Sequence, residues 1–297
     1  MEALPPRAVF VTRPSEYEHL IARHATRDQV RFFLEQRGHT LAEVEARHAL
    51  QESAIAAAHA ALPGEWRYAD VRREDLDRFL FTPEDLVVAV GQDGLVPNVA
   101  KYLSGQKVIG INTDPGRNDG VLVRFTVNHL DGLFERAWHA DAQIEARTMA
   151  EAKLDSGDRL VALNELFIGH RSHQSARYFI ADDGRGEEQS SSGLIVATGT
   201  GATGWARSIM LATGADLQLA PTQTALGWFV RELFPSVATG TSMRRGVLTN
   251  DTLRITSHMN DGGVVFADGM EADFLQFGWG RKLEVGVASE KLNLVTA

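Results

Sequence analysis

The sequence predicts an α/β domain built on a parallel sheet with flanking helices, followed by a mostly β domain. Three observations carry this. Short apolar runs alternate with helical patterns up to about Leu130, which argues for a parallel sheet covered on both faces. From about Ile144 the pattern changes to short strands separated by turn residues. At 297 residues the chain is long enough for two domains of ordinary size. The expected division is 1–140 for the first and 141–297 for the second, with the last residues candidates to pack back on the first.

The elements follow in order. Ala8–Thr12 is a β-prone run. Ser15 to Arg37 is polar with apolar residues at Leu20, Ile21, Val30, Phe33 and Leu34, so it reads as one long helix that Gly38 ends. Leu41 to Leu62 is a second helical pattern, rich in alanine and glutamate, stopped by Pro63-Gly64. Asp85–Val90 and Val108–Asn112 read as buried strands, with a brief helix at Asn98–Leu103 between them. The domain boundary falls between Asp131 and Gln143. Beyond it, strands are expected at Arg159–Ile168, Ala176–Ile180, Gly193–Thr198, Thr252–Ser257 and Gly263–Ala267, with one helix from Gly204 to Thr213. A Trp/Phe-rich helix is expected after Pro221. Turns are marked by Asp182-Asp183-Gly184 and Asn260-Asp261-Gly262-Gly263.

Composition narrows the function. Hydrophobic residues at 44% and charged residues at 23% describe a globular chain. No apolar run nears the ~18 residues that span a bilayer. Met1 to Pro14 shows no signal-peptide pattern, and a cytoplasmic location is the expectation. With no cysteine, thiolate metal sites, disulfides and a catalytic cysteine are excluded. A formal charge of −9 opposes nucleic-acid or anionic-membrane partners. Of 30 basic residues five are lysine, so 25 are arginine, whose planar fork suits phosphate, although a genome biased toward arginine codons is the simpler account.

Three motifs can carry chemistry. Asp85–Val90 runs into Gly91-Gln92-Asp93-Gly94, which places Asp93 beyond the carboxyl end of a buried strand, where open α/β sheets bind ligands. A carboxylate there can orient or deprotonate a hydroxyl, or it can close the turn on itself. Thr198-Gly199-Thr200-Gly201-Ala202-Thr203-Gly204-Trp205 follows a strand and opens a helix. It matches the dinucleotide pattern G-x-G-x-x-G only formally, because Asp216 comes too early for the acid that pattern requires. A phosphate or ribose cradle made of backbone N–H groups and threonine hydroxyls is the better reading. Asn164-Glu165 interrupts an apolar run, and two adjacent polar groups there need hydrogen-bond partners, which a ligand would supply. His170 and His173 lack a third metal ligand, no protein metal ligand stands out, and neither a G-x-S-x-G elbow nor a P-loop is present. Asn112 ends a strand ahead of the loop Asp114–Gly120.

Taken in order, these motifs resemble the NAD kinase family, most of all its mitochondrial-type branch. The resemblance rests on Gly91-Gln92-Asp93-Gly94, on Asn164-Glu165, on Gly193 through Trp205, and on the stretches Val108–Pro115 and Ala162–Gly169. It covers Ala8–Thr12 and Asp85 to the C-terminus. It implies phosphoryl transfer from ATP to the 2′-hydroxyl of the adenosine ribose of NAD, giving NADP, with Mg²⁺ accompanying the nucleotide. By resemblance, Asp93 is the catalytic base or hydroxyl-orienting group. Gly91, Gln92, Gly94, Asn112, Asn164, Glu165, Thr198, Thr200, Thr203, Gly204 and Trp205 are the binding residues, and a homodimer is expected. Two positions depart from the family pattern: Gln92 stands for a glycine and Leu95 for a threonine. If that glycine had positive φ, Gln92 would cost about 1 kcal/mol in strain. A related kinase acting on another hydroxyl (a sugar, nucleoside or lipid) and a non-catalytic NAD(P)-binding regulator remain alternatives.

Overall fold

The structure, a computed structural model, describes residues 5–139 and 142–296. The boundary expected at 140/141 lies outside the described residues. The chain divides into two compact units, Met1–Glu145 with Asn293–Ala297, and Ala146–Leu292.

In the first unit four parallel strands lie in the order β2 (Arg67–Arg72), β1 (Arg7–Thr12), β3 (Asp85–Gly91), β4 (Lys107–Asn112). Asn293 and Leu294 extend the sheet by pairing parallel with Lys107 and Val108. β3 is buried along its whole length, so it reads as an unbroken apolar run rather than an alternating one. Its face packs with β1 and β4 against Ala54 and Ala58 of α3 (Leu41–Ala60) and Leu133 and Phe134 of α5 (Leu133–Trp138). The expected helix over Ser15–Arg37 is two helices, α1 (Glu16–His24) and α2 (Arg27–Glu35). The break falls at Ala25, which has φ 64°, and Thr26 restarts the helix by accepting the Gln29 amide. Apolar spacing continues across the break, which is why periodicity alone missed it. The brief helix α4 spans Leu95–Ala100, earlier than Asn98–Leu103, because it starts directly from the Gly94 turn.

The second unit is a β-sandwich. One sheet holds β9 (Arg185–Ser191), β8 (Ala176–Asp182), β13 (Leu253–Ser257) and β16 (Lys282–Val295), and β5 (Ile144–Leu154) joins β16 to β6 (Arg159–Ala162). The other runs β12 (Arg245–Leu248), β11 (Leu226–Val230), β10 (Leu194–Ala197), β7 (Glu165–His170), β14 (Gly263–Ala267), β15 (Phe274–Gln276). Leu166, Ile168, Val196, Trp228 and Val265 face the inter-sheet core, while Phe167, Ile195, Phe229 and Phe266 face α6 (Trp205–Thr213) on the outside. Both faces of this sheet are covered, so its central strands are apolar throughout.

Two expectations change here. The helix expected after Pro221 is the strand β11, since a short apolar run has no periodicity to separate strand from helix. The strand expected over Arg159–Ile168 is two strands broken at Leu163-Asn164, where the backbone turns onto Asp268. The Asp183-Gly184 hairpin has the positive φ angles, 47° and 74°, that such tight turns require. Among the described residues no helix is long and apolar enough to cross a membrane.

Candidate active site

In the first unit, Gly91, Gln92, Asp93, Gly94 and Asn112 gather at the carboxyl edge of the parallel sheet, with Gly91 directly opposite Asn112. Asp93 is held tightly. Its Oδ1 accepts the amides of Leu122 at 2.7 Å and Val123 at 3.0 Å, and its Oδ2 accepts that of Val121 at 3.2 Å. The loop can lie this close because Gly110 carries no side chain: a Cβ there would stand 2.3 Å from the Leu122 carbonyl oxygen. Oδ1 is filled by two amides, whereas Oδ2 takes one and keeps acceptor capacity for a hydroxyl. The half-buried carboxylate is therefore oriented, and it also anchors the 121–123 loop.

Gln92 brings no strain, since it is not among the non-glycine residues with positive φ and Gly94 has φ −64°. The cost expected for replacing a glycine here is absent. Instead its side-chain oxygen accepts a hydrogen bond from Arg13. Leu95 is buried with Cδ2 3.2 Å from the Cβ position of Gly91, so it fills the space beneath the turn. Asn112 is buried, donates to the Asn118 carbonyl at 3.1 Å and accepts the Asp114 amide at 3.0 Å. It ties a loop together rather than facing outward.

In the second unit, Asn164 and Glu165 open β7, and the segment after β10 folds over them. Thr198 is fully buried: its hydroxyl donates to the Leu163 carbonyl at 2.5 Å and accepts the amides of Thr200 and Gly201 at 3.1 and 3.2 Å. Its expected contact with a ligand gives way to this internal role. Gly201 is required by packing, because a Cβ would meet the Asn164 carbonyl oxygen at 2.1 Å. Thr200 is buried and accepts from Arg147 at 3.4 Å. Thr203 and Gly204 are exposed, and the half-buried Trp205 ring stacks on Phe167 at 6.1 Å with Arg231 over its face at 5.2 Å. Thr203, Gly204 and Trp205 are thus the presented part of the segment.

Asp268 was not anticipated. It follows β14, has φ 51°, and accepts the amides of Leu163 at 3.0 Å, Asn164 at 2.7 Å and Glu165 at 3.3 Å. It does for the Asn164-Glu165 corner what Asp93 does for the 121–123 loop. The signal available was Asp268-Gly269, which reads as an ordinary turn.

Burial, and then the negative charge of Asp268, push the Glu165 carboxyl up to about 7. The folded chain therefore holds a proton there that the unfolded chain releases above its ordinary value near 4.5. Stability falls as pH rises through that window, and the loss is complete above pH 7. Glu165→Gln, which is neutral at every pH, is expected to be more stable than the parent at pH 8 by about 1–3 kcal/mol, a gain that vanishes at pH 4.5. Urea denaturation at the two pH values measures this; an equal difference at both would remove the proton linkage.

The protein combines a parallel-sheet unit, whose turn carries an oriented carboxylate, with a β-sandwich unit that carries an Asn-Glu corner under a threonine–glycine loop. The same fold occurs in NAD kinases. Yeast NADH kinase, solved with NADH, superposes with a TM-score of 0.60 at 16% identity over 99% of this chain and 84% of that one. An NAD kinase from Archaeoglobus fulgidus, solved with ATP, gives a TM-score of 0.60 at 18% identity over 97% and 93%. In sequence the chain is similar to rat mitochondrial NAD kinase 2, 32% identical over 47% of this chain and 44% of that protein. It is also similar to NAD kinase of Chlorobaculum tepidum, 28% identical over 42% and 44%. The chain thus spans less than half the length of these curated relatives. No protein-family model matches it. The resemblance to the NAD kinase family read from the motifs is therefore seen in sequence and fold alike.

Proposed function

We propose that this protein phosphorylates the adenosine-ribose 2′-hydroxyl of NAD with ATP, giving NADP and ADP. The observation that carries the reading is Asp93: a carboxylate fixed by three amides at the carboxyl edge of a parallel sheet, with Oδ2 able to accept one more hydrogen bond. The 2′-hydroxyl oxygen forms a bond to the γ-phosphorus, the bond from that phosphorus to the bridging oxygen breaks, and ADP leaves. Asp93 holds the hydroxyl in line, accepts its hydrogen bond and takes up its proton as the oxygen–phosphorus bond forms, releasing it later to solvent. Because such transfers depend on position and charge, a fixed acceptor matters more than a strong base.

Gly91 and Gly94 bring backbone close to the phosphates. Asn164 and Glu165 hold ribose and adenine groups, and a Glu165 carboxyl titrating near 7 can donate to a purine nitrogen at neutral pH, which an ionised carboxylate cannot. Thr203, Gly204 and Trp205 line the dinucleotide, with Thr198 and Thr200 holding the segment from within. Mg²⁺ is proposed to arrive with the nucleotide. The nucleotide's phosphates would supply oxygen ligands, and the ion would neutralise their charge.

A homodimer is proposed on Leu211, Phe234, Val237 and Val247, large apolar side chains exposed on the second unit, where β12 is also a sheet edge. A cytoplasmic location, where ATP and NAD are both at hand, completes the proposal. The test is an end-point assay of the purified protein with Mg·ATP and NAD, in which NADP is read by an NADP-specific dehydrogenase. NADP formation is expected. No NADP, with NAD still raising the melting temperature, would instead favour a dinucleotide binder or a kinase for another hydroxyl.

A further inference from the structure

The outer face of the six-stranded sheet carries one row of side chains from strand to strand. Phe266 pairs with Phe167, Phe167 with Ile195, Ile195 with Phe229 and Phe229 with Arg245, and cross-strand partners point to the same face. α6 covers the middle of the row with Trp205, Ile209 and Met210. At the end of the row, beside Phe229 and Arg245, a cleft of about 640 Å³ opens. Its apolar lining comes from Ile209 of α6, Phe229 and Val230 of β11, and Leu233 and Pro235 of the segment that follows β11. The opposite wall is held in place by Glu187, whose carboxylate accepts the Ser242 amide and hydroxyl and the Met243 amide. Gly240 lets that wall lie close, because a Cβ there would stand 2.4 Å from a Glu187 carboxylate oxygen.

Charge in the cleft is one-sided. Arg244 and Arg245 both line it, and among the described residues neither forms an ion pair. Arg244 donates its Nε to the Thr241 carbonyl at 2.8 Å, which orients the guanidinium and leaves its two terminal nitrogens to donate elsewhere. The acid in the lining, Glu232, stands 3.5 Å from Arg231, and Glu187 is occupied by the donors of the 242–243 wall. Two positive charges thus border an apolar hollow in a chain whose formal charge is −9. A guanidinium fork bonds two oxygens of one carboxylate or phosphate, so a single oxyanion satisfies this rim.

We propose that this cleft binds a small aromatic oxyanion, with its ring system on the apolar lining and its carboxylate or phosphate held by Arg244 and Arg245. The volume suits a small organic ligand, and apolar walls with a few convergent polar groups are what such sites are made of. A rigid ring covers the lining without losing the rotamer freedom that a flexible chain gives up. The site is separate from the dinucleotide-lining segment: Ile209 and Thr213 belong to the second half of α6, whereas Thr203, Gly204 and Trp205 stand at its start. Leu211, Phe234, Val237 and Val247, on which the dimer is proposed, are not among its lining residues. The cleft does not depend on the kinase reading.

The experiment is calorimetric titration of the full chain with 1-naphthyl phosphate, and separately with its two halves, 1-naphthol and inorganic phosphate. The whole probe is expected to bind at least tenfold more tightly than either half, with affinity falling as salt rises. Arg244→Gln and Arg245→Gln are each expected to weaken it at least tenfold. Thr213→Trp, which fills the cleft from an exposed position, is expected to abolish binding. Circular dichroism and melting temperature report that the variants fold. A parallel titration with 1-naphthoate tells which oxyanion the arginines prefer, tighter naphthoate marking a carboxylate site and tighter naphthyl phosphate a phosphate site. No binding to the parent, or equal binding by folded variants, overturns the site. So does displacement of the probe by excess NAD, which places the probe in the dinucleotide segment. Loss of binding in step with self-association, followed by sedimentation, overturns it too and gives the cleft to a second copy of the chain.

Discussion

Asp93→Asn is expected to leave a chain that binds NAD but transfers phosphoryl groups at least 100-fold more slowly, the range typical for removing a group that acts on the reacting proton. The carboxylate offers two oxygens, and three amides already point at them. An asparagine can keep one oxygen on Leu122 and Val123, but it then turns an NH₂ toward the Val121 amide and toward any hydroxyl in the site. The acceptor needed for transfer becomes a donor. The same change leaves an amide without its partner, so a stability loss of about 1–2 kcal/mol should accompany the loss of turnover. The NADP end-point assay and a melting curve on the same preparation separate the two effects. Retained turnover would remove Asp93 from the chemistry and leave it as the anchor of its loop.

Asp268→Ala is expected to produce the largest stability loss of a single change near the site, about 3 kcal/mol, or roughly 10 °C in melting temperature. Three amides, those of Leu163, Asn164 and Glu165, lose their acceptor together, and that corner is where β6 turns into β7. The stabilisation that NAD gives the parent should be lost with it, because Asn164 and Glu165 would no longer be held in place. Removing the Asp268 charge also withdraws one of the two causes that raise the Glu165 carboxyl, so its titration should move down toward the ordinary range. Asp268→Asn restores an acceptor without the charge: it should regain part of the stability while keeping the shifted titration. If Asp268→Ala melts with the parent, the corner does not depend on this residue.

How much of this was legible in the sequence varies by element, for physical reasons. β3, β4, β10 and β14 were visible because strands covered on both faces must be apolar along their length. β2, Arg67-Tyr68-Ala69-Asp70-Val71-Arg72, was invisible because it is an edge strand with a single buried residue. β11 carries the same kind of apolar run as β10 but was expected as a helix, since five residues do not distinguish the two periods. The split between α1 and α2 depends on the backbone of one alanine, which no composition rule marks.

The sequence by itself determined the chemistry on offer: a carboxylate in a glycine turn, an Asn-Glu pair in an apolar run, a threonine–glycine segment, and an excess of arginine. Only the tertiary structure decided which of these groups are presented and which are locked away. Thr198 is consumed by its own loop and the Leu163 carbonyl, and Asn112 by its own loop, whereas Thr203 and Gly204 are exposed and Trp205 half-buried. Asp268 meets Asn164 across 104 positions of chain, and Arg13 meets Gln92 only because β1 and β3 lie side by side. A polar side chain's role is set by whether its hydrogen-bonding capacity is already filled, and the groups that fill it come from distant parts of the chain that only folding brings near.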